Sequence, residues 1–288
     1  MPIASLIAKP ERLTAESVEE LRRSWRGAEW LWLNQDEAAE FEVPIRPSGF
    51  DAARVTLGAE GIDLNILPDG ARRKKLLIAD MDSTMIAQEC IDEMAEFAGI
   101  GAKVRGITAR AMNGELNFEE AMAERVSLVE GLKESDLEQV FENQISFVPG
   151  GKTLLSTMKA AGAYTALVSG GFTFFTERVA AALGFDEHRA NTLLWENGRL
   201  TGNVQRPILG QDAKVEALEE LTDTHGIGAS QALAVGDGAN DLGMLGRAGL
   251  GVALHAKPAV QAQCDVRINH GDLTALLYLQ GYGREDFC

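Results

Sequence analysis

Two carboxylates follow an apolar run near residue 80, and their type and spacing suit chemistry at phosphorus. Asp80 and Asp82 come directly after residues 76–79, which are all apolar. Such an unbroken run is typical of a strand buried on both faces of a parallel sheet. Neighbouring anions repel unless they bind a cation, and Mg²⁺ takes oxygen ligands from carboxylates, phosphate and water. One carboxylate could attack phosphorus while the other transfers protons, although a solvated Asp-rich turn is the alternative for this stretch alone.

Polar clusters follow two more apolar runs farther along the chain. One follows residues 163–168 and begins at Ser169, and the other follows residues 232–235 and begins near Asp237. Since the carboxyl ends of parallel strands share one edge of a sheet, we expect these clusters to lie beside the first carboxylates. Each cluster alone also suits an ordinary turn, and Lys214 alone suits a solvated helix position. It is their order along the chain that favours a shared site.

The combined set suits phosphoryl transfer, which needs an in-line nucleophile, a bridging cation and donors for the phosphoryl oxygens. In this hypothesis Asp80 attacks and forms an aspartyl-phosphate, while Asp82 protonates the leaving oxygen and later activates water. Asp237 would share Mg²⁺ with Asp80. The predicted donors to the phosphoryl group are the Ser169 hydroxyl, the Gly170 amide and the Lys214 ammonium.

The composition is that of a globular protein with an excess of acidic side chains. The chain has 288 residues, 45% of them hydrophobic, and a formal net charge of −16. This charge disfavours broad binding to nucleic acid or to an anionic membrane, so neither is an expected partner. Cys90, Cys264 and Cys288 are too few and too far apart for a disulfide framework, which favours a reducing compartment. With no secretory signal or membrane span evident, we expect a soluble, cytoplasmic protein.

The hydrophobic pattern of residues 1–72 predicts a separate small module. Hydrophobic patterns indicate the order strand, helix, two strands, helix, strand, which is that of a ferredoxin-like unit. Thr14 is the expected N-cap of the first helix. The predicted domains are this α+β module over residues 1–72 and a larger one over residues 73–288.

Residues 85–147 predict a helical insertion placed directly after the first polar cluster. Asn117 and Ser135 lie where helix-capping residues are expected. An insertion at this place can close over the strand ends and exclude water. A helical layer without a gating role is the alternative. The four segments with helical periodicity are residues 86–97, 103–112, 118–128 and 134–141.

From residue 152 onward, predicted helices and strands alternate, which favours a doubly wound parallel sheet. A β-hairpin is predicted around Asn197-Gly198, with arms over residues 191–195 and 199–204. The expected fold class is therefore α/β, with a Rossmann-like core, the helical insertion and the N-terminal α+β module.

In their order along the chain, the polar clusters resemble the four motifs of the haloacid dehalogenase-like phosphatases. The motifs correspond to residues 80–84, residues 169–171, Lys214 and residues 236–241, and the resemblance covers about residues 76–282. Within that superfamily the match to the phosphoserine phosphatases is close. The resemblance implies a core of that type with a helical cap inserted after the first motif. It also implies that the N-terminal region is similar to ACT modules, which are βαββαβ units linked to amino-acid sensing or pairing.

The same resemblance implies a role for each matching residue. Asp80 would be the nucleophile and Asp82 the general acid/base. Mg²⁺ would be held by Asp80, the main-chain carbonyl of Asp82 and Asp237, with Asp241 in support. Phosphate would be bound by Ser169, Gly170 and Lys214, with Asn240 close to it.

Substrate recognition is expected in the helical insertion. Phosphoserine phosphatases carry a Glu nine residues after the nucleophile and an Arg on a cap helix, and Glu89 and Arg125 stand at the matching positions. An amino acid offers an ammonium to Glu89 and a planar carboxylate to the guanidinium of Arg125. Met112 and Phe118 match the apolar cap residues. Without the resemblance, a surface pair on amphipathic helices would be the favoured interpretation of Glu89 and Arg125. Met112 and Phe118 suit plain cap core equally well.

The sequence therefore predicts a Mg²⁺-dependent phosphomonoesterase that hydrolyses O-phospho-L-serine, the last step of serine synthesis. A phosphotransferase that passes the phosphoryl group to homoserine or another small alcohol is the nearest alternative. A non-catalytic, amino-acid-responsive binding protein is the alternative from a different class. The expected partner is the small-molecule substrate, and the oligomeric state stays open, with a homodimer as one option.

Overall fold

The computed structural model describes residues 1–68, 70–112 and 115–288, and the side chains of residues 111 and 112 lie outside this description. The chain divides into two compact units. The first comprises Met1–Ile78, Val148–Thr165 and Leu218–Cys288, and the second comprises Ala79–Phe147 and Ala166–Ala217. Within the described ranges, every helix is too short or too polar to traverse a lipid bilayer.

An antiparallel sheet with two helices forms the N-terminal part of the first unit. Its pairings are antiparallel throughout, and its strand order is β2-β3-β1-β4. The observed order βαββαβ is that of the predicted ferredoxin-like unit. Thr14 caps the first helix as predicted, because its hydroxyl accepts a hydrogen bond from the Ser17 amide. The elements are β1 (Ile3–Ala8), α1 (Ala15–Trp25), β2 (Leu31–Asn34), β3 (Ala38–Glu42), α2 (Phe50–Ala59) and β4 (Ile62–Leu67).

A six-stranded sheet with helices forms the rest of the α/β fold, in the strand order β12-β11-β10-β5-β6-β7. Strand β10 pairs in parallel with β11, β11 with β12, and β6 with β7. The predicted α/β class is confirmed. The elements are β5 (Leu76–Ala79), α3 (Cys90–Phe97), α4 (Gly101–Met112), α5 (Phe118–Leu128), α6 (Glu134–Gln144), α7 (Gly151–Ala160), β6 (Tyr164–Phe172), α8 (Thr173–Leu183), β7 (Glu187–Asn191), β8 (Leu193–Glu196), β9 (Arg199–Val204), α9 (Gln211–Thr224), β10 (Ala232–Gly236), α10 (Leu242–Arg247), β11 (Leu250–Leu254), α11 (Pro258–Gln261), β12 (Val266–Ile268) and α12 (Ala275–Leu279).

The structure departs from the predicted elements at several boundaries. Strand β7 was not predicted, because this edge strand begins with three polar, partly exposed residues and lacks an apolar run. The first arm of the hairpin begins at Leu193 rather than at residue 191, since Asn191 ends β7. The cap prediction for Ser135 is wrong. Helix α6 begins at Glu134, and its first turn is capped by Asp136, whose carboxylate accepts a hydrogen bond from the Lys133 amide.

Buried polar side chains join the N-terminal sheet to β12 within the first unit. Asp63 on β4 is 4% exposed. Its carboxylate accepts three successive amide hydrogen bonds, from Asn269 at 2.8 Å, His270 at 2.9 Å and Gly271 at 3.1 Å. Burial raises the pKa of Asp63 although these amides oppose the shift. We call this contact the Asp63 clamp. Its strength lies in supplying an acceptor to one buried and two partly buried amides.

Candidate active site

The loop after β5 holds the first pair of carboxylates in a tight turn. Asp80 is 4% exposed, and its Oδ1 accepts a hydrogen bond from the Met81 amide at 2.8 Å. The Met85 amide donates to the Met81 carbonyl at 2.8 Å, which closes the turn. Ser83 adopts a left-handed φ of 55°, and its hydroxyl donates to Glu89 Oε1 at 2.8 Å. The turn thereby fixes Glu89 relative to the two aspartates.

Lys214 forms a buried ion pair with Asp80. Its Nζ lies 2.7 Å from Asp80 Oδ1, and the two side chains are 2% and 6% exposed. Helix α9 supplies Lys214 from its first turn. The ammonium compensates the buried carboxylate, because an isolated buried anion would be strongly disfavoured. The pair therefore places a lysine ammonium against the first carboxylate after β5.

Asp82 combines partial exposure with a buried, unpartnered oxygen. Among the residues that the structure describes, its Oδ1 has no hydrogen-bond partner. Burial, followed by the charges of Glu89 and Asp80, raises the pKa of Asp82 well above its usual value, and hydrogen bonding from Cys90 opposes this. A raised carboxyl pKa favours the protonated form that general acid catalysis uses.

The end of β6 brings its backbone close to the Asp82 carboxylate. The Ser169 hydroxyl is buried and accepts a hydrogen bond from the Gly171 amide at 2.9 Å. A Cβ at Gly171 would lie 3.1 Å from Ser169 Oγ and 3.2 Å from Asp82 Oδ2. Glycine at this position therefore permits β6 to approach the Asp82 carboxylate.

Asn191 positions this segment of β6, and the sequence analysis missed it. It is 2% exposed. Its Nδ2 donates to the carbonyls of Gly170 at 2.9 Å and Leu209 at 3.2 Å, and its Oδ1 accepts from the Leu209 amide at 2.7 Å. The side chain thus fixes Gly170 to the chain that leads into α9. Because β7 carries no apolar run, the sequence pattern held no signal for this residue.

Helix α5 presents two of the predicted cap residues to the same region. A Cβ at Gly170 would lie 3.2 Å from Cζ of Phe118, so the phenyl ring covers the backbone beside Ser169. Arg125 is partly buried, and its Nε donates to the Ala121 carbonyl at 3.2 Å. Met112 ends α4, but its side chain lies outside the described residues.

The guanidinium of Arg125 lies within the electrostatic influence of several carboxylates. Burial lowers the pKa of Arg125, while Asp92, Glu89 and Asp82 oppose the shift. A cation and Glu89 are therefore available in one part of the cap, as binding of a zwitterion requires. The arrangement can recognise a carboxylate and an ammonium beside a phosphoryl group.

The loop after β10 arranges the remaining predicted carboxylates. Asp241 is fully buried, and its Oδ2 accepts hydrogen bonds from the amides of Asp237 at 3.1 Å and Gly238 at 2.9 Å. A Cβ at Gly236 would overlap the Asp241 side chain, so the turn requires glycine there. Asn240 is partly exposed on the same loop. Asp241 therefore shapes the backbone that carries Asp237.

A divalent cation fits the donor set. Asp80, Asp237 and Asp241 are buried carboxylates, and each offers the oxygen donors that a divalent cation takes. Oxygen donors without histidine or cysteine favour a hard cation such as Mg²⁺ or Ca²⁺ over zinc or copper.

Comparisons of the sequence and of the structure with known proteins point to the same family. The family model of haloacid dehalogenase-like hydrolases matches residues 77–246. A phosphoserine phosphatase of Idiomarina loihiensis is 48% identical over 202 residues, which are 70% of this chain and 91% of that protein. A phosphoserine phosphatase of Haemophilus influenzae is 46% identical over 204 residues, 71% of this chain but only 65% of that protein. A crystal structure of a haloacid dehalogenase family hydrolase from Salmonella enterica serovar Typhi superposes with a TM-score of 0.88 at 30% identity, covering 96% of this chain and 97% of that one.

Proposed function

Because the chain belongs to the haloacid dehalogenase-like hydrolases, we propose that it hydrolyses O-phospho-L-serine to serine and phosphate through a phosphorylated Asp80. The observation that carries this proposal is the buried Asp80–Lys214 pair at the end of β5, with Asp82 and Ser169 both beside Gly171. The similarity to proteins named phosphoserine phosphatase supports the choice of substrate.

The first half-reaction transfers the phosphoryl group to the protein. Ser169, the Gly170 amide and Lys214 donate hydrogen bonds to the phosphoryl oxygens. A carboxylate oxygen of Asp80 forms a bond to phosphorus as the bond from phosphorus to the serine oxygen breaks. Asp82 gives its proton to that leaving oxygen, and its raised pKa keeps the proton available.

The second half-reaction returns Asp80 to its starting state. Asp82, now ionised, takes a proton from a water molecule, and the water oxygen bonds to phosphorus. The bond between phosphorus and Asp80 breaks, so that phosphate leaves and Asp82 is again protonated. No other proton carrier is needed for a complete cycle.

We assign the Mg²⁺ ligands to Asp80, the main-chain carbonyl of Asp82 and Asp237, with Asp241 supporting the loop. Two observations support this assignment: β5 and β10 are neighbours in the sheet, and Asp80 and Asp237 follow these strands directly. Bound Mg²⁺ would neutralise the negative charge shared by Asp80 and the phosphoryl group.

We assign recognition of the serine moiety to the cap. Arg125 would pair with the carboxylate and Glu89 with the ammonium. Both residues interact electrostatically with Asp82, because the charge of Glu89 raises the pKa of Asp82 and the charge of Asp82 raises the pKa of Arg125. Phe118 and Met112 would cover the apolar part, and Asn240 would lie beside the phosphate. We propose that the reaction serves serine synthesis in the cytoplasm. The catalytic domain would comprise residues 73–288, with the cap over residues 85–147, and residues 1–72 would form the N-terminal module.

Phosphate release from a panel of phosphomonoesters tests this function. We expect rapid release from O-phospho-L-serine with Mg²⁺, and at least tenfold less when EDTA removes the metal or when Ca²⁺ replaces it. Free phosphate should appear without any added alcohol, and added homoserine should not divert it. Strong preference for another phosphomonoester, or release only when an alcohol acceptor is present, would contradict the proposal.

A further inference from the structure

The β8–β9 hairpin contacts the chain at the C-terminal end of α5. The Leu200 amide donates to the Leu132 carbonyl at 2.8 Å, and the Gly131 amide donates to the Leu200 carbonyl at 2.9 Å. Arg199 adds a side-chain bond from Nη1 to the Gly131 carbonyl at 2.8 Å. An antiparallel bridge also joins Lys133 to Arg199. The segment that leaves α5 is therefore held as if it were a further strand of the hairpin.

Gly202 lies where this hairpin approaches the helix itself closely. A Cβ at Gly202 would lie 3.1 Å from Cβ of Glu130, 3.2 Å from Cα of Ser127 and 3.3 Å from the Ser127 carbonyl oxygen. Ser127 belongs to α5, two residues beyond Arg125. Because the nearest atoms include helix backbone, added volume must displace the helix and not only a side chain.

The chain beyond the hairpin also contacts the N-terminal end of α5. Arg206 Nη1 lies 3.1 Å from Glu119 Oε2. Phe118, the first residue of the helix, lies against Gly210, where a Cβ would be 3.4 Å from its ring. An open cavity of about 940 Å³ borders these residues. Both ends of α5 therefore contact the segment from residue 199 to residue 210.

We propose that the β8–β9 hairpin sets the position of α5, and that Gly202 is a positioning residue for recognition of the amino-acid part of the substrate. The inference rests on the proposed function, because Arg125 and Phe118 are the substrate contacts that α5 carries. The groups assigned to the phosphoryl step lie on other elements: Asp80 follows β5, Ser169 lies on β6 and Lys214 on α9. A displaced α5 should therefore weaken binding of the serine carboxylate without altering attack on phosphorus.

Two glycines of the hairpin provide a matched pair of variants. Gly202 and Gly198 have nearly equal left-handed φ angles, 72° and 74°, so alanine introduces similar backbone strain at either position. A Cβ at Gly198 would have no heavy atom of the described residues within 4 Å. Gly202→Ala adds contact with α5, whereas Gly198→Ala adds strain alone.

The experiment measures kcat and KM for O-phosphoserine and for an aryl phosphate that lacks a carboxylate. We expect Gly202→Ala to raise KM for O-phosphoserine roughly tenfold, while leaving both constants for the aryl phosphate within about twofold. Gly198→Ala should change neither substrate by more than about twofold. Equal effects of the two variants on the O-phosphoserine to aryl phosphate ratio would overturn the proposal.

Hydrogen exchange of the α5 amides gives a readout that does not depend on activity. We expect faster exchange in residues 118–132 for Gly202→Ala than for Gly198→Ala, and unchanged exchange would also overturn the proposal. If wild-type protein releases no phosphate from O-phosphoserine, the proposed function fails, but the exchange result still decides whether the hairpin holds α5.

A second variant covers the case in which Gly202→Ala does not fold. Arg199→Gln removes the bond to the Gly131 carbonyl from an exposed side chain, so the fold should tolerate it. We expect KM for O-phosphoserine to rise about threefold and the aryl phosphate constants to stay unchanged. No selective change would count against the proposal.

Discussion

The N-terminal module and helix α5 are attached to their surroundings in different ways. In the first unit, the Asp63 clamp buries a carboxylate against three amides. In the second unit, α5 is held by backbone bonds to β9, by the exposed Arg206–Glu119 pair and by the close approach at Gly202. Buried polar contacts are costly to break, whereas exposed ones contribute little to stability. The module is therefore secured by a buried polar contact, whereas α5 depends on main-chain and exposed contacts with the β8–β9 hairpin and the chain that follows it.

The largest stability effect should come from breaking the Asp63 clamp. Asp63→Ala leaves one buried and two partly buried amides without their acceptor, so we expect the free energy of unfolding to fall by about 3 kcal/mol. Urea denaturation measures this, and Asp51→Ala, at an exposed position of α2, is the control. The folded fraction should keep its KM for O-phosphoserine. A loss no larger than the control's would show that the clamp does not secure the module.

Removing the guanidinium of α5 should affect substrate use far more than stability. We expect Arg125→Ala to lower kcat/KM for O-phosphoserine roughly a hundredfold, since a charge-assisted pair with the carboxylate is lost. Hydrolysis of a carboxylate-free aryl phosphate should change less than about threefold. Arg110→Ala, at an exposed arginine of the neighbouring α4, is the matched control. Equal losses on both substrates would remove Arg125 from recognition of the serine moiety.

The smallest effect should come from a partly exposed ion pair in the N-terminal module. Hydrogen bonding from Arg22 lowers the pKa of Glu19 to about 2 from its ordinary value of 4.5. The folded state therefore binds fewer protons than the unfolded state in this window. The stabilisation is present above pH 4.5 and is lost as the pH falls towards about 2. NMR titration of the Glu19 carboxyl measures the pKa, and Glu19→Gln should leave the urea midpoint nearly unchanged. An ordinary pKa for Glu19 would contradict the observed pairing.

The fold class could be predicted because buried strands of the parallel sheet coincide with apolar runs in the sequence. Residues 76–79 and 232–235 lie in buried strands, and the Asn197-Gly198 turn joins β8 to β9. Strand β7 was missed because it lies at the edge of the sheet and begins with three polar, partly exposed residues, so it has no apolar run. The cap of helix α6 was assigned wrongly because several polar residues lie in its first turn. The sequence alone does not show which of them makes the capping hydrogen bond.

The residue types of the candidate site were visible in the sequence, but their mutual support was not. The order of the clusters placed Asp80, Ser169 and Lys214 among the candidates, and the structure shows Lys214 paired with Asp80. Asn191 and Gly202 escaped attention because their importance depends on contacts between segments distant in sequence. Such contacts have no signature in local pattern or spacing.

The most direct test of the account is a search for the covalent intermediate. Acid quenching during turnover of O-phosphoserine, followed by proteolysis and mass spectrometry, should find one phosphoryl group on the peptide that contains Asp80. Asp80→Asn should be folded, inactive and unlabelled, because an amide is a poor nucleophile. Rapid phosphate release without phosphorylation of Asp80 at any quench time, or near-normal turnover by Asp80→Asn, would contradict the proposed phosphoryl transfer to Asp80.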